Sequence, residues 1–342
     1  MLSIIAHMVN LIKVYGTVAF LVIIFSPVFA QSLEDREVQF MTHDSLTLSG
    51  TLSLPMGPGP HPVAILIHGS GPSDRNERIV LGAPVHACLF PDLYGDTLRP
   101  FRDLADHLQL HGMAVLRYDK RTTPPTVFQL NMATTSVFDF EQDVVSALAY
   151  LGSVPEVDTS RTVLIGHSQG TNFAPRLAAR LPQVKAVVVM GTPTVPLDST
   201  MARQLVVFGA ACGDSAQVAT MEKQAAQVLA GLQDVRHNPE AVLPVMGAFP
   251  SFWRGWLGMV DGTLADFAAC PVPVLALQGV EDLNVTMEDA RRLEAVLLPK
   301  DRMVYFEGVN HYFTPMDDPY VPHEVLGTIS HWLKEQGLLK GH

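Results

Sequence analysis

Cysteine is scarce: three residues in 342, at positions 88, 212 and 270. No pair has C-x-x-C or similar metal-ligand spacing, and none reads as a catalytic thiol. Export would permit one disulfide and leave one thiol over. Cys270 leads straight into an apolar strand and reads as the buried one. Positive charge is also short, with 23 Lys and Arg against 34 Asp and Glu and a net charge of −11. An acidic body argues against nucleic acid and anionic membrane as partners. Charged residues make up only 17 % and apolar residues 48 %, which excludes a disordered chain and fits a globular protein with a large core. There is no internal repeat and no low-complexity tract. No metal or cofactor is implied, and nothing bears on oligomeric state. Length alone is compatible with two domains, or with one α/β domain carrying an insertion.

The first thirty residues differ in kind. "VYGTVAFLVIIF" (Val14 to Phe25) is an apolar run of signal-peptide length, preceded by Lys13 and broken by Pro27. "VFA" (Val28 to Ala30) then places small-to-medium residues at −3 and −1 before Gln31. The segment reads as a signal peptide, residues 1–30, cleaved between Ala30 and Gln31. The mature chain, 31–342, would then be periplasmic or extracellular, with no stable membrane partner. The alternative is an uncleaved anchor, since Met1 to Ile12 is also rather apolar. A start at Met8 gives a more typical leader. No cysteine follows the site, which argues against a lipoprotein.

Beyond Glu37 the pattern first alternates. "EVQFMT" and "LTLSGTLSLP" read as two antiparallel edge strands, and "PMGPGPHP" as a turn. "VAILIHG" is a continuous apolar run, the mark of a strand covered on both faces. Helix "PFRDLADHLQLHG", strand "MAVLRYDK", helix "SVFDFEQDVVSALAYLG", strand "TVLIGHS", a helix from Phe173 to Leu181 and strand "VKAVVVMG" follow. Strand and helix in alternation imply parallel strands joined by crossovers. About 192–269 the alternation stops in helix-compatible sequence ending in "FPSFWRGWLGM", read as a cap over the sheet edge. It resumes with strand "VPVLALQG", helix Met287 to Leu298, strand "RMVYFEG" and a last helix near Val325 to Gln336.

In an open α/β sheet, ligands bind at the carboxyl ends of the strands. Those ends carry His68-Gly69-Ser70-Gly71, Asp119, Ser168, Glu281-Asp282 and His311. A hydroxyl, a carboxylate and an imidazole on one rim suit nucleophilic catalysis. Serine is a poor nucleophile until a base takes its proton. His311 titrates in the right range for that task. A carboxylate on the far ring nitrogen holds the tautomer. The oxyanion needs preorganised N–H donors. Gln169, opening a helix, and Ser70, flanked by glycines, can supply them. Gly166 and Gly170 permit the tight turn that lifts Ser168 off the sheet. Glu281 is the rival acid.

"GHSQG" between strand and helix, an acid after the penultimate strand and a histidine after the last resemble the α/β-hydrolase fold, over about residues 37–338. "LIHGSGPSDRNE", "RPFRDLADHL", "VLRYDKRT" and "GHSQGTNFAPRLA" are similar to a branch of bacterial or exported serine esterases near the prolyl-oligopeptidase-like and serine-aminopeptidase-like hydrolases. The resemblance implies a mostly parallel eight-stranded sheet, helices on both faces and a helical cap. It also implies Ser168 as nucleophile, Asp282 as acid and His311 as base. Two departures concern the pocket wall. Thr122-Thr123-Pro124-Pro125 replaces a glycine-rich continuation of "DKR", and Ile79 to Arg99 is long.

The substrate expected is a small-molecule carboxylic ester, with a short peptide as the alternative. A peptidase would need a carboxylate for the substrate's amino group, for which Glu222 and Asp214 are candidates. A non-catalytic binding protein on the same fold is the third reading. Asp119 and Arg121 are expected to pair and brace the loops, and His68 to be structural. "SDRNE" (Ser73 to Glu77) either orders the oxyanion loop or is a surface charge cluster. Trp253 and Trp256 either line an acyl pocket or bury the cap.

Overall fold

The computed structural model describes residues 33–213 and 215–340. The expected leader at 1–30 and Asp214 lie outside the described residues. In chain order the strands are β1 (Glu34–Met41), β2 (Thr47–Leu54), β3 (His61–Ile67), β4 (Ile79–Val80), β5 (Thr97–Leu98), β6 (Ala114–Tyr118), β7 (Val157–His167), β8 (Val184–Met190), β9 (Val274–Gly279) and β10 (Arg302–Phe306). The helices are α1 (Pro84–Leu89), α2 (Pro100–Leu110), α3 (Val137–Leu151), α4 (Gln169–Arg180), α5 (Leu197–Ala210), α6 (Ser215–His237), α7 (Pro250–Ala268), α8 (Met287–Glu294) and α9 (His323–Glu335).

Eight strands form one sheet in the order β1-β2-β6-β3-β7-β8-β9-β10, and β4 pairs with β5 in a small hairpin. From β6 through β10 the neighbours are parallel, while β2 runs antiparallel to both β1 and β6. Of the two strands expected at the edge, only β1 is there. β2 is inside, which explains why its residues from Gly50 onward are buried whereas every other residue of β1 is exposed or nearly so.

The apolar runs behave as their period demands. Along β3, Val63, Ile65 and Ile67 enter one core, and Ala64 and Leu66 the other. The first core is closed by α3, α4 and α7, through residues such as Phe140, Val144, Phe173, Leu177 and Trp256. The second is closed by α2 and α9, through Phe101, Leu104, Leu108, Ile329 and Trp332. Each such side chain contributes about 2 kcal/mol by leaving water. Ser136 caps α3: its hydroxyl accepts from the Phe138 N–H, and Asp139 accepts from the Ser136 N–H at 2.7 Å.

Helix α4 starts earlier than its residues suggest, at Gln169, and runs through Pro175. Proline costs that helix one backbone bond, but packing on the sheet holds it. Helix α8 ends at Glu294, short of Leu298, in a turn where Asp301 accepts from the Leu298 N–H. The segment expected to be a cap consists of α5, α6 and α7. The long Ile79 to Arg99 stretch holds the β4–β5 hairpin and α1. A disulfide between Cys88 on α1 and Cys212, just past α5, ties that stretch to the helical segment, and Cys270 is buried as a free thiol.

Candidate active site

The loop after β7 turns sharply at Ser168, with φ 49° and ψ −117°. A non-glycine residue in that region is strained, and the surroundings hold it there. Its N–H donates to the Met190 carbonyl at 2.9 Å, and its carbonyl accepts from Thr171 Oγ1 at 2.6 Å. The two flanking glycines answer to close packing. A Cβ on Gly166 would fall 2.5 Å from the Gly170 oxygen, and one on Gly170 would fall 2.1 Å from the Ile67 oxygen. The start of α4 therefore lies directly on the end of β3.

After β9, Asp282 is buried, and its Oδ1 accepts from the N–H groups of Asn284 at 2.7 Å and Val285 at 2.8 Å. Its other oxygen lies 2.7 Å from Nδ1 of the buried His311, on the loop after β10. Glu281 is exposed on the same turn and does not face the imidazole nitrogen in this way. The structure thus brings His311 and Asp282 together. Ser168 stands beside them: its chain neighbour His167 bonds through Nε2 to the His311 carbonyl at 2.8 Å. Among the described residues no hydrogen bond joins the Ser168 hydroxyl to His311. Such bonds often tighten only once substrate is bound.

Ser70 and Gln169 border one cavity of about 420 Å³. Gln169 is the first residue of α4, so its backbone N–H has no partner within the helix. The remaining wall is largely apolar, with Phe140, Met201, Met246, Phe252, Trp253 and Trp256. Trp253 and Trp256 stack at 5.6 Å, so they both line the cavity and bury the helical segment. Thr122 and Val127, from the stretch that departs from the expected glycine-rich pattern, line it too. A second cavity of about 260 Å³ adjoins His311 and is bounded by Val85, Leu89, Phe208, Glu281 and Tyr312. Glu222 is exposed on α6 and outside both cavities.

Two residues unremarked in the sequence belong to this site. Lys120 is buried, donates to the Gly69 carbonyl at 2.5 Å and to Gln169 Oε1 at 2.9 Å, and lies 5.0 Å from the centre of the Phe140 ring. Burial pushes its ammonium down to a pKa of about 7. It ties the loop after β3 to the start of α4. His167, the second residue of "GHSQG", lies 2.9 Å from Glu77 Oε1. That same oxygen accepts from the Gly69 N–H at 2.7 Å, so Glu77 of the "SDRNE" stretch braces the loop after β3 beside Ser70. His68, buried between Phe101 and Tyr118, is held neutral because burial lowers its pKa to about 4.

The expected Asp119–Arg121 pairing does not occur. Asp119 receives Arg75, at 2.7 Å and 3.1 Å, and Arg121 turns inward to Asp143 at 2.5 Å and 2.8 Å and to Asp44 at 2.8 Å. Each finds its partner on another element: Asp119 on the loop after β3, and Arg121 on α3 and in the β1–β2 turn.

The sequence matches the model of the alpha/beta hydrolase family over residues 64–325. Esterase EstD of Thermotoga maritima is 26 % identical over 298 residues, which are 84 % of this chain and 65 % of that protein. The chain thus spans just under two thirds of that relative's length. Among solved structures, an esterase of Pyrococcus furiosus superposes with a TM-score of 0.57 at 20 % identity, covering 89 % of this chain and 91 % of that one. An acylaminoacyl peptidase of Pyrococcus horikoshii superposes with a TM-score of 0.58 at 15 % identity, covering 91 % of this chain and 43 % of that one. At these identities the two structures share the fold.

Proposed function

The chain belongs to the alpha/beta hydrolase family, and on that premise we propose that it is an exported serine hydrolase that cleaves carboxylic esters through an acyl-enzyme on Ser168. The observation that carries the reading is the strained Ser168 turn adjoining the His311–Asp282 pair at 2.7 Å. In this scheme Ser168 Oγ attacks the ester carbonyl carbon and passes its proton to His311 Nε2. Asp282 holds the proton on Nδ1 and stabilises the imidazolium. The N–H groups of Ser70 and Gln169 receive the developing oxyanion. His311 then hands the proton to the departing alkoxide. Water, deprotonated by His311, releases the acid and restores the serine.

The larger cavity, beside the oxyanion donors, takes the acyl group. Its apolar wall favours an uncharged hydrocarbon or aromatic acyl chain. No carboxylate lines it among the described residues, so nothing there is placed to hold a peptide's amino group. That supports ester over peptide cleavage. The cavity beside His311 receives the leaving group, because the atom to be protonated must face that imidazole. Two observations support export: the leader-like first thirty residues and the Cys88–Cys212 disulfide, a bond that persists in oxidising compartments.

The test is a fluorophosphonate probe on wild type and Ser168→Ala, with p-nitrophenyl esters and aminoacyl and prolyl anilides as substrates. We expect labelling of the wild type alone, and a loss of at least about 10³-fold in kcat for the variant. Equal labelling of both proteins would sink the catalytic reading and leave a binding protein. Faster turnover of anilides than of esters would make it an amidase. Mass spectrometry of the mature form checks export: an N-terminus at Met1 or Met8 contradicts cleavage before Gln31.

A further inference from the structure

Glu77 and His167 are 90 positions apart in the chain, yet both are buried in the middle of the site, at 5 % and 4 % exposure. Glu77 sits at φ 52°, an uncommon backbone conformation for a non-glycine residue, and its N–H donates to the Asp74 carbonyl at 2.8 Å. Something holds the carboxylate there. Its Oε1 accepts from Gly69 N–H at 2.7 Å and lies 2.9 Å from His167 Nδ1. The other ring nitrogen of His167 lies 2.8 Å from the His311 carbonyl oxygen. A carbonyl only accepts, so His167 Nε2 must carry hydrogen. Nδ1 faces a carboxylate oxygen that already accepts one N–H. The 2.9 Å separation is an ion-pair distance and not an aligned hydrogen bond, since Nδ1 has no hydrogen-bond partner among the described residues; a proton there turns the contact into a buried ion pair.

We infer that Glu77 and His167 form a buried ion-pair clamp that positions the oxyanion loop and the His311 loop around Ser168. The clamp has three attachments: Gly69 beside Ser70, the residue preceding Ser168, and the residue that supplies the base. Both are positioning residues, since neither faces a reacting atom. The inference rests on the proposed role of Ser168 and His311. It concerns the alignment demanded by the transition state, so it acts on kcat more than on KM.

The charged state fits the surroundings. Burial alone would lower the His167 pKa, but the Glu77 carboxylate, the His311 carbonyl and Asp282 raise it above the ordinary histidine value. Burial would raise Glu77, yet His167 and the Gly69 N–H bring it below the ordinary carboxylate value. The other titratable groups around the pair are His68 and Lys120 on the side of β3 and β6, and His311 and Tyr312 on the loop after β10. At high pH the imidazolium gives its proton to solvent, Nδ1 or Nε2 loses its hydrogen, and one attachment is released.

The test begins on the unaltered protein. The ring nitrogens of ¹⁵N-histidine are followed by NMR across pH 6 to 10, with His167→Gln used to assign the signal. The His167 ring should lose its proton at a higher pH than an ordinary histidine does; loss at or below the ordinary value overturns the inference, with or without substrate. Glu77→Gln keeps an amide oxygen for the Gly69 N–H but removes the charge. In that variant the ring should become neutral at least about one pH unit lower. With a p-nitrophenyl ester, kcat should fall about tenfold or more while KM stays within about twofold, and the alkaline limb of kcat should move down in parallel with the ring. An unchanged kcat, or a loss confined to KM, refutes the positioning role. If wild type turns over no ester at all, the functional reading fails, while the ring titration still judges the charged pair.

Discussion

Replacing Asp282 by asparagine tests the site with almost no change of volume. The outcome follows from which oxygen does what. Oδ1 accepts two backbone N–H groups, from Asn284 at 2.7 Å and Val285 at 2.8 Å, while Oδ2 faces His311 Nδ1 at 2.7 Å. An asparagine has one acceptor oxygen, and the two N–H groups claim it. The flipped alternative would set an NH₂ against two buried donors, at about 1–3 kcal/mol for each. The amide nitrogen therefore takes the place of Oδ2 and points a hydrogen at Nδ1. His311 must answer as acceptor there, which moves its own proton to Nε2. In that tautomer it cannot take the serine proton. The same exchange in a serine protease lowers kcat about 10⁴-fold, which is about 5 kcal/mol of barrier. We expect a loss of that order in kcat on p-nitrophenyl butyrate at pH 7.5, with the melting temperature little changed because the two backbone bonds survive. A loss smaller than about tenfold in a protein that melts normally would show that Asp282 does not set the state of His311.

Three further outcomes are expected. In the fold His68 takes up a proton only near pH 4, against 6.5 in the unfolded chain, so unfolding is favoured as pH falls through that window; about 3 kcal/mol of stability present above pH 6.5 should be lost by pH 4, and denaturant titrations of His68→Phe should show a flatter slope, an identical slope counting against the assignment. Ala248→Phe, placed on the wall of the acyl-side cavity, should cut kcat/KM for p-nitrophenyl hexanoate about tenfold or more relative to the acetate; an equal loss on both esters would mean that the cavity does not hold the acyl chain. Reducing the Cys88–Cys212 bond, which spans 124 positions, should cost up to about 5 kcal/mol by freeing the unfolded chain, read as a lower melting temperature in reductant; a melting point indifferent to reductant would show that the bond contributes nothing to the fold.

The parts of the fold legible in the sequence were those with a physical period. Strands β3, β6 and β8 are apolar on both faces, and the sheet covers them on both. The Ser168 turn was legible because only glycine fits at 166 and 170, and His311 and the Glu281-Asp282 turn because strand ends gather at one rim; the choice of Asp282 over Glu281 came from the α/β-hydrolase resemblance. Partnerships between distant loops were not. Glu77 reads as one member of a polar run, and nothing local distinguishes an acid that will be buried against His167 from one that stays in water. Lys120 was hidden by its neighbours: Asp119 and Arg121 looked like a pair, whereas each had a partner elsewhere and the residue between them was the one that reached the site. The disulfide was half legible. Cys270 could be set aside by its place before β9, but that Cys88 and Cys212 meet depends on how Ile79 to Arg99 folds back.

The contact between the start of α4 and the end of β3, where Gly170 meets the Ile67 carbonyl with no room for a single methyl, has an evolutionary corollary. On the proposed reading, nucleophile and oxyanion donors are spaced by main chain alone, like parts cast in one mould. The cavity walls, by contrast, are exchangeable side chains on separate helices. Selection, natural or in the laboratory, can rewrite substrate preference at Met201, Phe252 or Trp256 while the reactive geometry is inherited intact.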